Sequence, residues 1–223
     1  MVDYAELRRG MVDSQVRAND VTDLRIVAAM MEMPRERFVP ANLKSLAYID
    51  EDLVIRAATA QQPARYLIEP MVLAKLIQLA DVQADEIVLD VAAGTGYSAA
   101  VLARLSQQVV ALEDDADLVA AANAVLSELA ITNVAVLKGP LTAGWAAEGP
   151  YDVILLNGAV DVVPQALFDQ LKDGGRLVAV VGRGGAAHAV IYTKVGGAVS
   201  ERVVFNASVP TLPGFEAPQR FTF

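Results

Sequence analysis

The segment Ile87-Val88-Leu89-Asp90-Val91-Ala92-Ala93-Gly94-Thr95-Gly96-Tyr97 constrains the fold more than any other part of the chain. A short β-branched apolar run ends in an acid. Small residues and two glycines follow, and Ser98 to Leu105 then reads as a helix. A buried strand, a tight turn and a helix start form the opening unit of an open α/β sheet with a nucleotide-type site. Gly94 and Gly96 lack a Cβ and tolerate positive φ, so the backbone there can approach a ligand. The acid and the free N–H groups at the helix start can hold polar ligand atoms.

The flanking sequence supports such a sheet. From residue 86 onward strands alternate with helices: strands at Glu86–Val91, Gln108–Leu112, Asn133–Leu137, Tyr151–Leu156 and Arg176–Val181, helices at Tyr97–Leu105, Ala116–Leu129 and near Pro164–Leu171. That alternation implies a parallel sheet covered on both faces. His188–Val195 and Ser200–Ser208 flank Gly196-Gly197, as a closing antiparallel hairpin does. Before residue 86 the pattern is helical. Leu7, Met11 and Val16 share one face, and Thr22 is placed to cap a helix carrying Leu24, Ile26, Val27, Met30 and Met31. Pro34 ends that helix, and Pro34 to Pro40 reads as extended or turn-like. Ala47 to Gln62 reads as polar and irregular, and helix resumes over Met71–Ala80. Residues 1–80 are thus expected to pack as a helical region on a domain formed by 81–223.

Composition removes several function classes. The chain has 223 residues, a 54% hydrophobic content that suffices for one large core, and a formal charge of −9. Its Arg and Lys are scattered rather than striped, so nucleic acid is not the expected partner. With no cysteine and one histidine, His188, thiolate and His-rich metal sites are excluded and a Ser-His-Asp triad is disfavoured. No uncharged apolar run is long enough to span a bilayer, and no targeting segment is evident, so a cytoplasmic protein is expected.

Glu113 is the second anchor. It ends the second strand of the alternating region, which sets its carboxylate beside the glycine loop, in reach of both ribose hydroxyls of a nucleoside. The loop lacks the G-x-G-x-x-G spacing that accepts a pyrophosphate. Asp90, directly before it, repels phosphate and suits a cation. S-adenosylmethionine meets both conditions, having an ammonium, a sulfonium and a ribose but no phosphate.

At this point the chain resembles the protein-L-isoaspartate O-methyltransferase family. Met11-Val12-Asp13-Ser14-Gln15-Val16-Arg17, Met33-Pro34-Arg35-Glu36-Arg37-Phe38-Val39-Pro40 and Ala47-Tyr48 are similar to that family's opening phrases. Gly94 to Ala103 is similar to its cofactor loop and helix. Pro150-Tyr151-Asp152-Val153-Ile154 and Gly174-Gly175-Arg176-Leu177-Val178 are similar to its fourth and fifth strands. The resemblance implies a class I methyltransferase fold: a Rossmann-like, doubly wound, mostly parallel seven-stranded sheet with an N-terminal helical region over the cleft. It implies S-adenosylmethionine as methyl donor and the carboxylate of an isoaspartyl residue in a damaged protein as acceptor. The resulting ester cyclises to a succinimide, which reopens in part to normal aspartate.

The implied cofactor contacts fall on Asp90, Ala92, Gly94, Gly96, Glu113, Pro140, Leu141 and Asn157. Three departures stand among the implied site residues. Ala92 replaces a glycine, and its methyl narrows the approach to the methionine end. Gly139-Pro140-Leu141 replaces Gly-Asp-Gly, whose acid reaches the adenine. The acceptor loop Thr-Ile-Ser-Gln-Pro is rewritten, and two registers compete. Taking Pro70 as its proline places Tyr66 and Ile68 at the hydroxyl positions. Taking Thr59-Ala60-Gln61-Gln62-Pro63 keeps Thr59 and puts Gln61 at the serine. The first preserves the helix length at the cost of a loop insertion, and we take it; Thr59 and Tyr66 remain the two candidate catalytic positions. In either register the serine is missing.

Asn157, after the fourth strand, faces the cleft or serves as a turn residue. His188 reads as structural or exposed, Trp145 as packing over a loop, and Met30, Met31 and Met33 as core. Phe215, Phe221 and Phe223 are expected to pack back on the sheet or to line the cleft.

Overall fold

A computed structural model describes residues 2–217 of the chain. Its centre is a seven-stranded sheet with strand order β5-β4-β3-β6-β7-β8-β9. The strands are β3 (Ile87–Val91), β4 (Gln108–Glu113), β5 (Val134–Lys138), β6 (Tyr151–Val160), β7 (Leu171–Val181), β8 (His188–Val195) and β9 (Ala198–Asn206). The first five run parallel, and β8 and β9 add an antiparallel edge through the turn at Gly196-Gly197. The chain winds outward from β3 to β5 and then returns to place β6 on the other side of β3. In an open α/β sheet, the crevice at that reversal, outside the carboxyl ends of the strands, is where ligands bind.

Period-two alternation builds the two faces of the sheet. Val88, Val109, Ala111, Val153, Leu155 and Val178 point to one core, and Leu89, Val110, Leu112, Ile154, Leu156 and Leu177 to the other. On the first face lie α3 (Pro70–Ala80), α4 (Tyr97–Leu102) and α5 (Ala116–Glu128), together with the N-terminal helices α1 (Tyr4–Met11) and α2 (Leu24–Glu32). On the second lies the short α6 (Gln165–Asp169), with Phe215 and Leu212 of the C-terminal segment. Phe215 therefore packs on the sheet as expected; Phe221 and Phe223 lie outside the described residues. Met30 and Met33 are core residues, and Trp145 is half-buried against the second face. His188 is half-buried, with Nδ1 2.9 Å from the Asn206 side-chain oxygen.

The proline-bounded phrase is turn-like as expected, with a 3₁₀ turn at residues 35–37. Three local expectations need correction. Asp23, not Thr22, caps α2, because its carboxylate accepts from the Arg25 N–H two residues on. Strands β6 and β7 run longer than their apolar cores, because their ends also pair with each other. The segment read as irregular from Ala47 to Gln62 contains β1 (Leu53–Arg56), which pairs antiparallel with β2 (Arg65–Leu67) to make a separate two-stranded hairpin. Only Leu53 and Ile55 of β1 are apolar and buried, a two-residue alternation too short to register as a strand.

The root of that hairpin is held by a buried cation. Arg35 has no exposed surface. Its Nε donates to the Ala47 carbonyl and its Nη2 to the Ile68 carbonyl, both at 2.8 Å. Its guanidinium stacks 4.8 Å from the Tyr97 ring centroid. Burial pushes the Arg35 pKa down, and the Tyr97 hydroxyl opposes that shift. One side chain thus joins the phrase 34–40, the segment after it, the hairpin's end and the first residue of α4. Arg35→Ala is expected to lose about 3 kcal/mol of stability, the sum of two charged hydrogen bonds and a cation–π contact. Urea unfolding measures it, and a loss below 1 kcal/mol would contradict this role.

Candidate functional site

The site is built at the carboxyl ends of β3, β4 and β6. Asp90 lies one residue before the end of β3 and is wholly buried. Ser98 Oγ donates to its Oδ2 at 2.7 Å, and Asn157 Nδ2 donates to its Oδ1 at 2.6 Å. Asn157 also reaches the Val91 carbonyl, so it bridges β6 to the glycine loop. Burial pushes the Asp90 carboxyl up to about 7, and its two hydrogen bonds only partly offset that.

The loop turns sharply after β3. Ala92 has φ +62°, the left-handed region in which a Cβ costs about 1–2 kcal/mol. A glycine is the residue this turn calls for, so the backbone keeps the glycine conformation although the side chain has changed. N–H groups of the loop itself are engaged, whereas those of Tyr97, Ser98 and Ala99 at the start of α4 carry no capping side chain. Ala92 and Ala93 both donate to the Leu112 carbonyl, Gly96 donates to Ala93, and Gly94 donates to Glu113 Oε2 at 2.9 Å. Gly96 is bare for packing: a Cβ on it would stand 3.3 Å from that of Ala122 in α5. Gly94 is bare for a different neighbour, because a Cβ there would meet Ile55 Cδ1 at 2.6 Å.

Glu113, at the end of β4, is fully buried and fully engaged. Arg65 of β2 clamps it with both terminal nitrogens, Nη1 to Oε1 at 2.8 Å and Nη2 to Oε2 at 2.7 Å. Oε1 also accepts from the N–H groups of Asp114 and Asp115, and Oε2 from Gly94. Burial raises the Glu113 pKa, while Arg65 and the N–H groups of Asp115 and Gly94 pull it back. Arg65 Nη1 binds Asp114 as well, at 2.7 Å. Beside them Arg56 Nε lies 2.8 Å from Asp115 Oδ2, and Asp115 in turn caps α5.

The remaining site candidates are split. Leu141 is buried in the second core, while Pro140 is exposed and leads into a 3₁₀ turn. Tyr66 is half-buried and borders a small cleft with Arg65, Asn157 and Leu212. Thr59 is not brought to the site. It sits exposed at the hairpin tip, where its Oγ1 accepts from the N–H groups of Gln61 and Gln62. Helix α3 begins at Pro70, directly after the β1–β2 hairpin, whose turn lies between Arg56 and Arg65. Arg65, Ile55 and Arg56 were not foreseen. Nothing in Pro63-Ala64-Arg65-Tyr66-Leu67 singles out a cation whose partner is far along the chain.

A family model described as protein-L-isoaspartate(D-aspartate) O-methyltransferase matches residues 8–211. The chain belongs to that family. The protein-L-isoaspartate O-methyltransferase of Rhodopseudomonas palustris is 41% identical over 194 residues, 86% of each chain. That of Methanoculleus marisnigri is 38% identical over 175 residues, 78% of this chain and 77% of its own. A solved protein-L-isoaspartate O-methyltransferase superposes with a TM-score of 0.81 at 27% identity, covering 93% of this chain and 66% of that one. The Plasmodium falciparum structure, described as a putative member in complex with S-adenosyl-L-homocysteine, superposes at 0.76 with 19% identity, over 95% and 99% of the two chains, and shows the shared fold. Membership makes the chain an S-adenosylmethionine-dependent O-methyltransferase of the isoaspartyl class.

The donor set suits that cofactor in kind: two carboxylates and a glycine turn at the strand ends. The space does not. Glu113 already accepts five hydrogen bonds, against about four lone-pair positions on a carboxylate. Ile55 covers Gly94. The cleft left between Arg65, Tyr66, Asn157 and the C-terminal segment encloses about 10 Å³. That is room for one water, where a ligand of this size needs about 300 Å³ or more. In this arrangement neither the saturated Glu113 nor the cleft beside it admits the nucleoside.

Two outcomes follow from the geometry. Glu113→Ala strands the buried Arg65 guanidinium and is expected to cost about 3–5 kcal/mol in chemical unfolding; a loss under 1 kcal/mol would contradict the buried pairing. Asp90 titrates near 7 in the fold and near 3.8 when unfolded. The contribution of its protonated form is complete below about pH 4 and is lost as pH rises through 7. Asp90→Asn, which has no such loss, should gain on the wild type across that window by about 4 kcal/mol. Parallel stability profiles between pH 4 and 8 would refute it.

Proposed function

We propose that the chain methylates the α-carboxylate of isoaspartyl residues in damaged proteins at the carboxyl ends of β3, β4 and β6, and that it does so in the cytoplasm. The observation that carries this reading is the placement of Asp90 and Glu113 at the ends of adjacent parallel strands, on either side of the Gly94 turn. In this reading Glu113 is the seat of the ribose, and Asp90, held by Ser98 and Asn157, is the carboxylate next to the cationic end of the cofactor. The same reading assigns Ala92, Gly94, Gly96, Pro140 and Leu141 as further cofactor contacts. A protein carboxylate is the expected acceptor, not nucleic acid. Among the described residues no helix is long and apolar enough to cross a membrane.

The chemistry asks little of side chains. The acceptor carboxylate is already ionised at neutral pH, so no general base is required. Alignment for displacement supplies most of the rate. Loss of one positioned hydroxyl lowers such a rate by about a hundredfold without ending it. Tyr66 borders the cleft beside Asn157 and is the nearer of the two acceptor-loop candidates; Thr59 is bonded to its own turn. That placement, with Ile68 in the serine's register, favours one second reading: the same donor with a different carboxylate acceptor.

An isoaspartyl peptide and its normal aspartyl twin, each offered with methyl-labelled cofactor, separate the two. Base-labile label in the isoaspartyl peptide alone is the expected result. Equal labelling of both favours the changed acceptor, and labelling of neither, in a protein that binds the cofactor, rejects the isoaspartyl assignment.

A further inference from the structure

The β1–β2 hairpin is a small body separate from the main sheet, and it lies across the carboxyl ends of β3 and β4. Three of its side chains engage three adjoining parts of the site. Arg65 clamps Glu113 in a two-pronged pair, and both side chains are at least nine-tenths buried. Ile55 lies on Gly94, in the space that the missing Cβ leaves open. Arg56 stands against Asp115. These are contacts that a ribose and its neighbours would otherwise make, filled by the chain itself.

We propose that this hairpin is a built-in plug of the cofactor seat: Arg65 stands in for the ribose on Glu113, and the plugged hairpin and the bound cofactor exclude one another. The inference rests on the reading of Glu113 as the ribose seat.

Saturation of the carboxylate makes the exclusion strict. Oε1 accepts from Arg65, Asp114 and Asp115, and Oε2 from Arg65 and Gly94. The three backbone donors are Asp114, just after β4, Asp115, the N-cap of α5, and Gly94 of the glycine turn, so they stay with the fold. Of the five hydrogen bonds, a hairpin movement removes only the two from Arg65, and two hydroxyls require the two positions these vacate. Asp114 is a second acceptor for the guanidinium, half-exposed and on the outer side, so Arg65 keeps a partner as it withdraws.

The hairpin is built to pivot rather than detach. Its root is fixed on both sides. Asp52 Oδ1 accepts from the Glu69 N–H at 2.9 Å, and Arg35 holds the Ile68 carbonyl from below. Its tip, residues 57–63, is exposed, and the hydrogen bonds there run within the hairpin, from Thr59 N–H to Gln62 and from Arg56 to the Pro63 carbonyl. Outward rotation about 52 and 69 lifts Ile55, Arg56 and Arg65 together. The plug lowers apparent affinity by the fraction of molecules with the hairpin open.

S-adenosylhomocysteine binding, followed by calorimetry, tests this. Arg65→Ala is expected to bind at least tenfold more tightly than the wild type. Equal or weaker binding by a folded Arg65→Ala overturns the plug and leaves the cofactor seat standing. Binding by neither protein overturns the seat and the plug with it. If Arg65→Ala does not fold, hydrogen exchange on the wild type decides. Saturating S-adenosylhomocysteine should slow exchange over 90–97 and speed it over 53–67. Slowed or unchanged exchange in the hairpin overturns the proposal, because a preformed pocket closes further on its ligand.

Discussion

A guanidinium and a carboxylate are buried together at the carboxyl edge of the sheet, and the local structure depends on that pair. Arg65 and Glu113 each lose their water on folding, and such a pair is tolerable only when its remaining lone pairs are satisfied. They are: Glu113 gathers the N–H groups of Gly94, Asp114 and Asp115 as well as both arms of Arg65. One carboxylate therefore fixes the height of the glycine turn, the exit of the chain from β4 and the approach to α5. Removing its cation leaves a charge that the surrounding apolar strands cannot solvate.

The N-terminal region is held by the same kind of device. Arg35 is buried with its nitrogens on two carbonyls and its plane against Tyr97. Thr95, within the glycine turn, donates its hydroxyl to the Phe38 carbonyl at 2.6 Å. Phe38 meets Tyr97 edge to face with ring centroids 5.4 Å apart. The turn is thus clamped from below by the phrase 34–40 and from above by the hairpin. Both clamps come from the first third of the chain, which the sheet alone does not require.

The departures from the family pattern fit this picture of a loop that has kept its path and changed its contacts. Ala92 retains the left-handed conformation of a glycine, at a steric cost. Gly94 retains its bareness, yet Ile55 fills the space. Gly139 retains its place after β5, where a Cβ would stand 2.9 Å from the Trp145 ring, and the residue after it is an exposed proline. The turn also joins β3 to α4, and that join serves the fold whatever occupies the seat.

Much of the fold was legible in the residues. The alternation of apolar strands and amphipathic helices marks the parallel sheet, and Gly196-Gly197 marks its closing hairpin, because period and turn chemistry are local properties. The positions of Asp90 and Glu113 followed from the strand ends, whereas Asn157, expected after its strand, lies inside β6. The β1–β2 hairpin escaped, since strands of four and three residues carry too little alternation to read. Arg65 escaped for a deeper reason. Sequence by itself determined that a carboxylate, a glycine turn and a helix start would meet at the reversal of the sheet, because each is written in adjacent residues. Only the tertiary structure decided that an arginine 48 positions before Glu113 would reach it first. The partner of a buried charge is chosen by the packing of distant segments, and no local pattern encodes that choice.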